Sequence, residues 1–258
     1  MKEQLEIESY GLEEIHKVLL KALDEFDRIC RENEIHYALH GGTMLGAERN
    51  HKLIPWDDDV DVSMTRMDYQ KFCEVISDSK GSSYINTEVL WVPRFVFKDE
   101  AGTVFIDIFI WDYISEKGWK KNLKLNLLRA VQGMMKKDVD YKRFGTVQKL
   151  LLMVTGCIGK LFSQKTKFCL YQLISEKWFL GKREYIHRSN DAFKDIAYIF
   201  DKDYMSEYTD IELENKQYMV NKRYHEFLIR SYGENYMTPP PAAQRAPKHQ
   251  GTIKALNK

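Results

Sequence analysis

Four carboxylates crowd one short stretch of this sequence. The segment IPWDDDVDVSM, residues 54–64, carries Asp57, Asp58, Asp59 and Asp61. In an extended strand, alternate residues share a face about 6.6 Å apart, so the first, third and fourth of these acids would point one way and Val60 and Val62 into a core. At that separation two carboxylates repel by about 2–3 kcal/mol at an effective dielectric of about 20. A divalent cation relieves such repulsion, and Mg²⁺ takes one or two carboxylates together with substrate phosphates.

Two other interpretations of the acidic stretch need testing. A solvated acidic turn is the plain alternative, and composition alone does not exclude it. An EF-hand calcium loop is excluded, because Val62 stands where that loop needs glycine and Asp68 where it needs a bidentate glutamate. The sequence therefore favours a magnesium site, provided that a further acid joins the cluster from another strand.

Asp107 is the acid that could complete such a site. It is the one charge in VFIDIFI, residues 104–110, a run whose pattern predicts burial on both faces. A buried carboxylate is costly unless it is paired or binds a metal, although an aspartate bonded to backbone in the core remains an alternative. We predict that Asp59, Asp61 and Asp107 hold a metal ion. An ion pair with lysine or arginine that left no room for the ion would contradict this prediction.

The segment HGGTMLGAER, residues 40–49, could bind the substrate's phosphates. Gly41 and Gly42 follow a predicted strand and precede a predicted helix, so that the backbone can approach an anion closely. Thr43 adds a hydroxyl group, and Arg49 adds a guanidinium that can grip phosphate oxygens. A glycine pair alone is weak evidence, and the acidic strand that follows strengthens it.

The order of elements predicts how these residues are positioned. Apolar periodicity indicates helices over 11–35, from 43 and over 68–77, and strands over 37–39, 60–64, 92–97 and 104–110. This order predicts an α/β (α+β) fold with a small mixed sheet flanked by helices, and a mostly helical addition after residue 115. We expect a catalytic core over 1–115 and a basic, mostly helical region over 116–258, packed together as one unit.

Charge and hydropathy limit the classes of partner. The formal net charge is only +1, which does not favour nucleic acid as a partner. Thirteen basic residues oppose three acidic ones between 115 and 170, which predicts either a charged helical surface or a helix that docks on anionic lipid. RNA binding is disfavoured because aromatic residues do not alternate with the basic ones. The apolar run 150–158 falls short of the about 20 residues that cross a bilayer, and no signal peptide is predicted. We expect a cytoplasmic protein, with contact to the inner face of the membrane as a hypothesis.

The segment HGGTMLGAERNHKLIPWDDDVDVSM, residues 40–64, resembles the signature of the LicD family, the lipopolysaccharide or teichoic-acid cholinephosphotransferases related to fukutin and fukutin-related protein. That family belongs to the nucleotidyltransferase-fold superfamily, whose pattern is a glycine turn, a D-x-D and a later acid. The matching residues here are Gly41, Gly42, Thr43, Trp56, Asp57, Asp59, Asp61 and Asp107. YGENYMTPPP, residues 232–241, is similar to the family's closing motif and contains Tyr236. The family's terminal Lys-Arg pair and histidines are replaced by Gln244-Arg245 and a lone His249.

The resemblance implies transfer of a phospho-alcohol, phosphocholine first among them, from a CDP-alcohol such as CDP-choline. The acceptor would be a sugar hydroxyl of a cell-surface glycan precursor, free or lipid-linked, for lipopolysaccharide, teichoic acid or capsule. Mg²⁺ (or Mn²⁺) would be held by the catalytic acids Asp59, Asp61 and Asp107, the last of which would also help to remove the acceptor's proton. Substrate-binding roles fall on Gly41, Gly42, Thr43, Arg49, Trp56, Asp57 and Tyr236.

Two alternatives to this function stay open. A nucleotidyltransferase of the same fold would release pyrophosphate instead of CMP, and a non-catalytic scaffold would act at a membrane surface. Choline itself would favour an aromatic cage, because ring faces attract a quaternary ammonium. The aromatic residues considered for the cage are Trp56, Trp91, Trp111 and Tyr236.

Overall fold

The computed structural model describes residues 10–78, 83–86, 91–100, 102–136 and 145–246. The elements up to residue 114 are α1 (Glu13–Glu32), β1 (Ala38–Leu39), α2 (Gly41–Asn50), β2 (Val60–Thr65), α3 (Arg66–Asp78), β3 (Tyr84–Asn86), β4 (Arg94–Asp99) and β5 (Gly102–Ile114). The later elements are α4 (Gly118–Met135), α5 (Thr146–Gly159), α6 (Gln164–Lys177), β6 (Tyr185–Arg188), β7 (Ile199–Asp201), β8 (Tyr208–Leu213), β9 (Lys216–Asn221) and α7 (Tyr224–Tyr232).

Strand β5 is the centre of a mixed sheet. Strand β2 runs parallel to β5 on one edge, and β4 runs antiparallel to it on the other. Strand β1 lies beyond β2 and β3 beyond β4, while β6 pairs with the end of β5 and β7 pairs with β6. The register places Asp61 of β2 and Arg94 of β4 directly opposite Asp107 of β5. Helices pack against this sheet, so the predicted α+β fold is confirmed.

Helix α1 supplies much of the main core because its apolar residues recur on one face. Leu19, Leu23 and Phe26 are fully buried, and Phe26 packs its ring against Phe72 and Phe95. The opposite face carries exposed ion pairs between neighbouring turns. A second, smaller core lies between α4, α6 and the end of β5. Its buried residues are Ile114, Leu125, Leu128, Val131, Met135, Tyr171, Ile174 and Ile196.

Strands β6 to β9 were not predicted from the sequence. Strands β6 and β7 are short, and β8 is rich in polar residues, so the apolar periodicity of these three strands is weak. Because of these strands, the region after residue 115 is less helical than expected. Strands β6 and β7 extend the main sheet, whereas β8 and β9 form a separate hairpin whose turn places Glu214 and Asn215 at positive φ. The proposed division at residue 115 stays a prediction.

The boundaries of the early elements differ in two ways that matter for the site. Helix α2 begins at Gly41, so both glycines lie in its first turn instead of preceding it. Strand β2 begins at Val60, so Asp57 to Asp59 lie in the loop before it. Among the described residues, no helix combines the length and apolarity needed to cross a bilayer.

His187 of β6 makes the stability of the fold depend on pH. It is fully buried, and its Nδ1 donates to the carbonyl of Ile196 over 2.8 Å. Burial, followed by the charge of Lys124, lowers its pKa to about 3. The unfolded chain takes up this proton at about pH 6.5, so the folded chain loses stability as pH falls below that value.

We expect this one histidine to cost about 2 kcal/mol of unfolding free energy between pH 6.5 and pH 5. Urea unfolding at pH 7 and pH 5 measures the loss. The matched variant is His187→Leu, which removes the titrating ring and should lower the pH dependence by that amount, whatever its own stability at pH 7. Equal pH dependence in the two proteins would contradict the prediction.

Candidate active site

A cavity of about 450 Å³ opens between the acidic loop, the start of α2 and the segment that follows α7. Asp57, Asp59 and Asp61 line one side of it. Gly41, Gly42 and Arg49 contribute from α2, and Trp56, Tyr232 and Tyr236 contribute aromatic walls. The fold therefore brings most of the predicted substrate-binding residues around one space, together with three acids.

The acids of the loop form a compact group. One carboxylate oxygen from each of Asp57, Asp58 and Asp59 lies within 4.8 Å of the others, and in the described part of the chain this is the one group of three ligand-type residues so close together. Asp58 is fully buried and was not predicted as a site residue. The carboxylates of Asp59, Asp61 and Asp107 do not converge to that distance, so the predicted metal set differs from the group that the structure brings together.

Asp61 lies where the negative charges add up. Its burial raises the pKa of its carboxyl well above the usual range, and the carboxylates of Asp59, Asp107 and Asp57 raise it further, in that order. Its backbone is fixed to α2, because its N–H donates to Thr43 Oγ1 over 2.9 Å. Thr43 is buried, so in this structure its hydroxyl positions Asp61 and does not face the cavity. A cation beside Asp61 would remove the repulsion.

Asp107 lies beside Asp61 but pairs with a cation of the protein. Arg94 Nε donates to Asp107 Oδ1 over 2.7 Å, and the guanidinium lies 3.8 Å from the centre of the Phe105 ring. The expectation that Asp107 is buried on both faces is wrong. Strand β5 alternates between buried and half-buried residues, and the Asp107 side chain is 18% exposed. A metal-binding role for Asp107 stays a prediction, and Arg94 competes with it.

The two glycines of α2 admit the chain's own carboxylates. A Cβ built on Gly41 would lie 2.7 Å from Asp61 Oδ2, and one on Gly42 would collide with Asp57 Oδ2. Gly41 also has φ +54°, in the left-handed region that favours glycine. The first turn of α2 therefore packs directly on the acids, with the positive end of the helix dipole toward them. The sequence analysis assigned the glycines to the substrate's phosphates. In this structure they pack on the chain's own carboxylates, and phosphate binding by Gly41 and Gly42 stays a prediction.

Two guanidinium groups flank Trp56 at the cavity. The centre of the Trp56 ring is 6.0 Å from Arg49 and 5.2 Å from Arg245. Arg49 Nε is buried without a hydrogen-bond partner in the described residues, and burial followed by the charge of Arg245 lowers the pKa of Arg49. Two cations this close favour a shared anionic ligand.

Tyr232 is a residue of this site that sequence reasoning missed. Burial raises the pKa of its phenol, and the carboxylates of Asp61 and Asp57 raise it further. Tyr236, which was predicted, bonds its hydroxyl to His225 Nδ1 over 2.6 Å. Tyr232 and Tyr236 both belong to the motif YGENYM, so this motif was the signal that could have identified Tyr232. Of the other aromatic residues considered, Trp111 is buried against Phe200 and Tyr204 and Trp91 packs on the second core, so neither fits a cage here.

A buried network of Arg188, His40 and Asp191 lies next to the start of α2. Arg188 of β6 donates to His40 Nε2 over 2.7 Å and lies 2.8 Å from Asp191 Oδ2. Burial lowers the pKa of His40 well below its usual value, and the charge of Arg188 lowers it further. His40 is therefore neutral and accepts from Arg188, directly before Gly41. No spacing in the sequence pointed to Arg188 or Asp191.

The comparisons with known proteins agree with this arrangement. The family model described as LicD/FKTN/FKRP, nucleotidyltransferase domain, matches residues 34–148, the stretch that contains the glycines, the acidic loop and Asp107. The lipopolysaccharide cholinephosphotransferase LicD of Haemophilus influenzae is 28% identical over 265 residues, which cover 92% of this chain and 96% of that protein. Residues 34–148 thus match the family model, and the similarity to the Haemophilus protein extends over most of the chain. An uncharacterized protein of Rickettsia typhi, RT0683, is 28% identical over 100 residues, or 38% of this chain and 30% of that protein.

Proposed function

We propose that this chain transfers a phospho-alcohol, phosphocholine first among them, from a CDP-alcohol to a sugar hydroxyl of a cell-surface glycan precursor in the cytoplasm. The observation that carries the proposal is the single cavity at which the acids Asp57, Asp59 and Asp61 face Arg49 and Trp56. The name of the Haemophilus relative, a lipopolysaccharide cholinephosphotransferase, supports the choice of phosphocholine and lipopolysaccharide.

The acids fit a hard divalent cation. Carboxylate oxygens are the ligands that Mg²⁺ and Mn²⁺ prefer. Burial raises the pKa of Asp61, and the nearby carboxylates of Asp59, Asp107 and Asp57 raise it further, so a cation beside Asp61 would be favourable. Asp59 and Asp61 are the proposed ligands, and Asp107 is the third ligand proposed from the sequence. Asp57 lines the same cavity beside Asp59 and Asp61. A bound ion would neutralise the charge of the donor's diphosphate and of the departing CMP.

The chain's own residues would bind and orient the donor. Arg49 lines the cavity, Arg245 lies with it against the Trp56 ring, and their guanidinium groups would contact phosphate oxygens. Trp56, Tyr232 and Tyr236 offer ring faces to a quaternary ammonium.

In the proposed reaction the acceptor oxygen forms a bond to the phosphorus that carries the alcohol. The bond from that phosphorus to the bridging oxygen breaks, and its electron pair leaves with CMP. The acceptor's proton passes to a carboxylate. Asp107 is the base proposed from the sequence.

Product analysis tests this function. The purified protein is incubated with Mg²⁺, a glycan acceptor and CDP-choline, CDP-ethanolamine, CDP-ribitol, CDP-glycerol or CTP in turn, and both CMP and pyrophosphate are measured. We expect CMP with CDP-choline and none after chelation of the metal. Pyrophosphate released from CTP would establish the nucleotidyltransferase alternative, and the absence of either product would favour the non-catalytic scaffold.

A further inference from the structure

Helix α5 turns a broad apolar face to the outside of the molecule. Seven large apolar side chains on α5 and the turn after it are between 45% and 80% exposed. We call them the α5 patch: Leu150, Leu151, Met153, Val154, Ile158, Leu161 and Phe162. Apolar patches of this kind on a protein surface mark a place of contact with something else.

The opposite face of α5 is firmly held. The Thr155 side chain packs on Gly133 of α4, and the backbone of Met134 approaches Gly159 so closely that a Cβ there would collide with it. Lys167 Nζ donates to the carbonyls of Met134 and Gly159, each over 3.2 Å. Since α4, α5 and α6 are locked together at this point, the outward direction of the patch is fixed by packing.

The charged residues of α5 and of the chain that follows it, up to residue 175, have one sign. No aspartate or glutamate occurs between residues 145 and 175, and Lys149, Lys160 and Lys165 are exposed beside the apolar side chains. Apolar residues that enter the acyl boundary while lysines reach the headgroups are the arrangement of an interfacial helix. Two copies of the chain joined through this patch would instead bring six lysines together.

We infer that the α5 patch docks on an anionic lipid surface. The patch lies on α5 and its following turn, apart from the residues that line the cavity, so docking does not depend on the transferase activity. Docking of this kind would hold the enzyme at the surface where a lipid-carried glycan acceptor is displayed.

Vesicle co-sedimentation of the full chain tests the inference. We expect binding to vesicles of phosphatidylcholine mixed equally with phosphatidylglycerol, and weak binding to phosphatidylcholine alone at moderate salt. The double variant Leu150→Ser/Leu161→Ser should reduce binding by at least about tenfold, because two large apolar side chains no longer enter the bilayer. Replacing Lys149, Lys160 and Lys165 by Gln should reduce it by about 100-fold.

The matched control is Met67→Ser, which removes an equally exposed apolar side chain, 79% accessible, from α3 and should leave binding unchanged. All of these residues are exposed, so circular dichroism should report the same fold for every variant. Equal binding to both kinds of vesicle would overturn the inference. A dimer in light scattering that Leu150→Ser/Leu161→Ser dissociates would overturn it too, since a second copy would then cover the patch.

Discussion

Asp61→Asn is expected to abolish phospho-alcohol transfer, by about 10³-fold or more, without destabilising the metal-free protein. The amide keeps the shape of the side chain and removes a charge from a place where burial and the carboxylates of Asp59 and Asp107 already oppose it. Relief of about 1 kcal/mol of repulsion would raise the melting temperature by about 2–4 °C. CMP release measures the expected loss of transfer, and thermal unfolding in chelator measures the expected change in melting temperature; both are measured on the same preparation.

Asp59→Asn should behave like Asp61→Asn, and the exposed Asp78→Asn at the end of α3 serves as a control that changes neither activity nor stability. A large decrease in the melting temperature of Asp61→Asn in chelator would show that the residue is structural, and would contradict the interpretation of Asp61 as a metal ligand.

Asp107→Asn separates two roles for Asp107. Removal of this carboxylate breaks the ion pair with Arg94, so a protein in which Asp107 only holds Arg94 would lose stability and keep most of its transfer rate. A protein in which Asp107 is a ligand or the base would lose transfer as severely as Asp61→Asn. Activity measured well below the melting temperature distinguishes the two outcomes.

Gly42→Ala should reduce transfer by about 100-fold with a loss of about 1–3 kcal/mol in unfolding free energy. The added methyl group would occupy the position of Asp57 Oδ2, so either the carboxylate leaves the acidic group or the first turn of α2 moves away from it. In Gly41→Ala the added methyl group would instead lie 2.7 Å from Asp61 Oδ2, and the positive φ of Gly41 adds backbone strain.

The control for Gly42→Ala is Gly156→Ala in α5, where a Cβ meets nothing within 4 Å. There alanine should stabilise the helix by up to about 1 kcal/mol and leave transfer unchanged. Wild-type activity in Gly42→Ala would show that the close packing of α2 on the acids is not needed for the reaction. Kinetics and urea unfolding give both quantities.

Much of the first half of the fold could be predicted because its patterns are local. The apolar periodicity of α1 and the valine- and isoleucine-rich stretches of β2 and β5 indicate their elements directly. Strand β6 could not be predicted, because its four residues YIHR are polar at two positions and become a strand only through pairing with β5.

Those residues of the candidate site that lie in one short motif could be predicted from the sequence. Contacts between distant segments could not. Asp59, Asp61 and the glycines lie within 21 consecutive residues, and the structure brings them together. The pairing of Arg94 with Asp107 depends on the register of β4 against β5, which no local pattern fixes. Arg188 reaches His40 by the same kind of long-range contact, and Asp191 pairs with Arg188 three residues along the chain.

The contact between Arg188 and His40 joins residues that are 148 positions apart. The strand that carries Arg188 follows three helices that lie outside the main sheet, so the last third of the polypeptide completes the support of the glycine turn. An exchange of segments between relatives after the acidic loop would therefore separate the cavity-lining residues from their support. A chimaera would have to carry the early and late parts of one parent together.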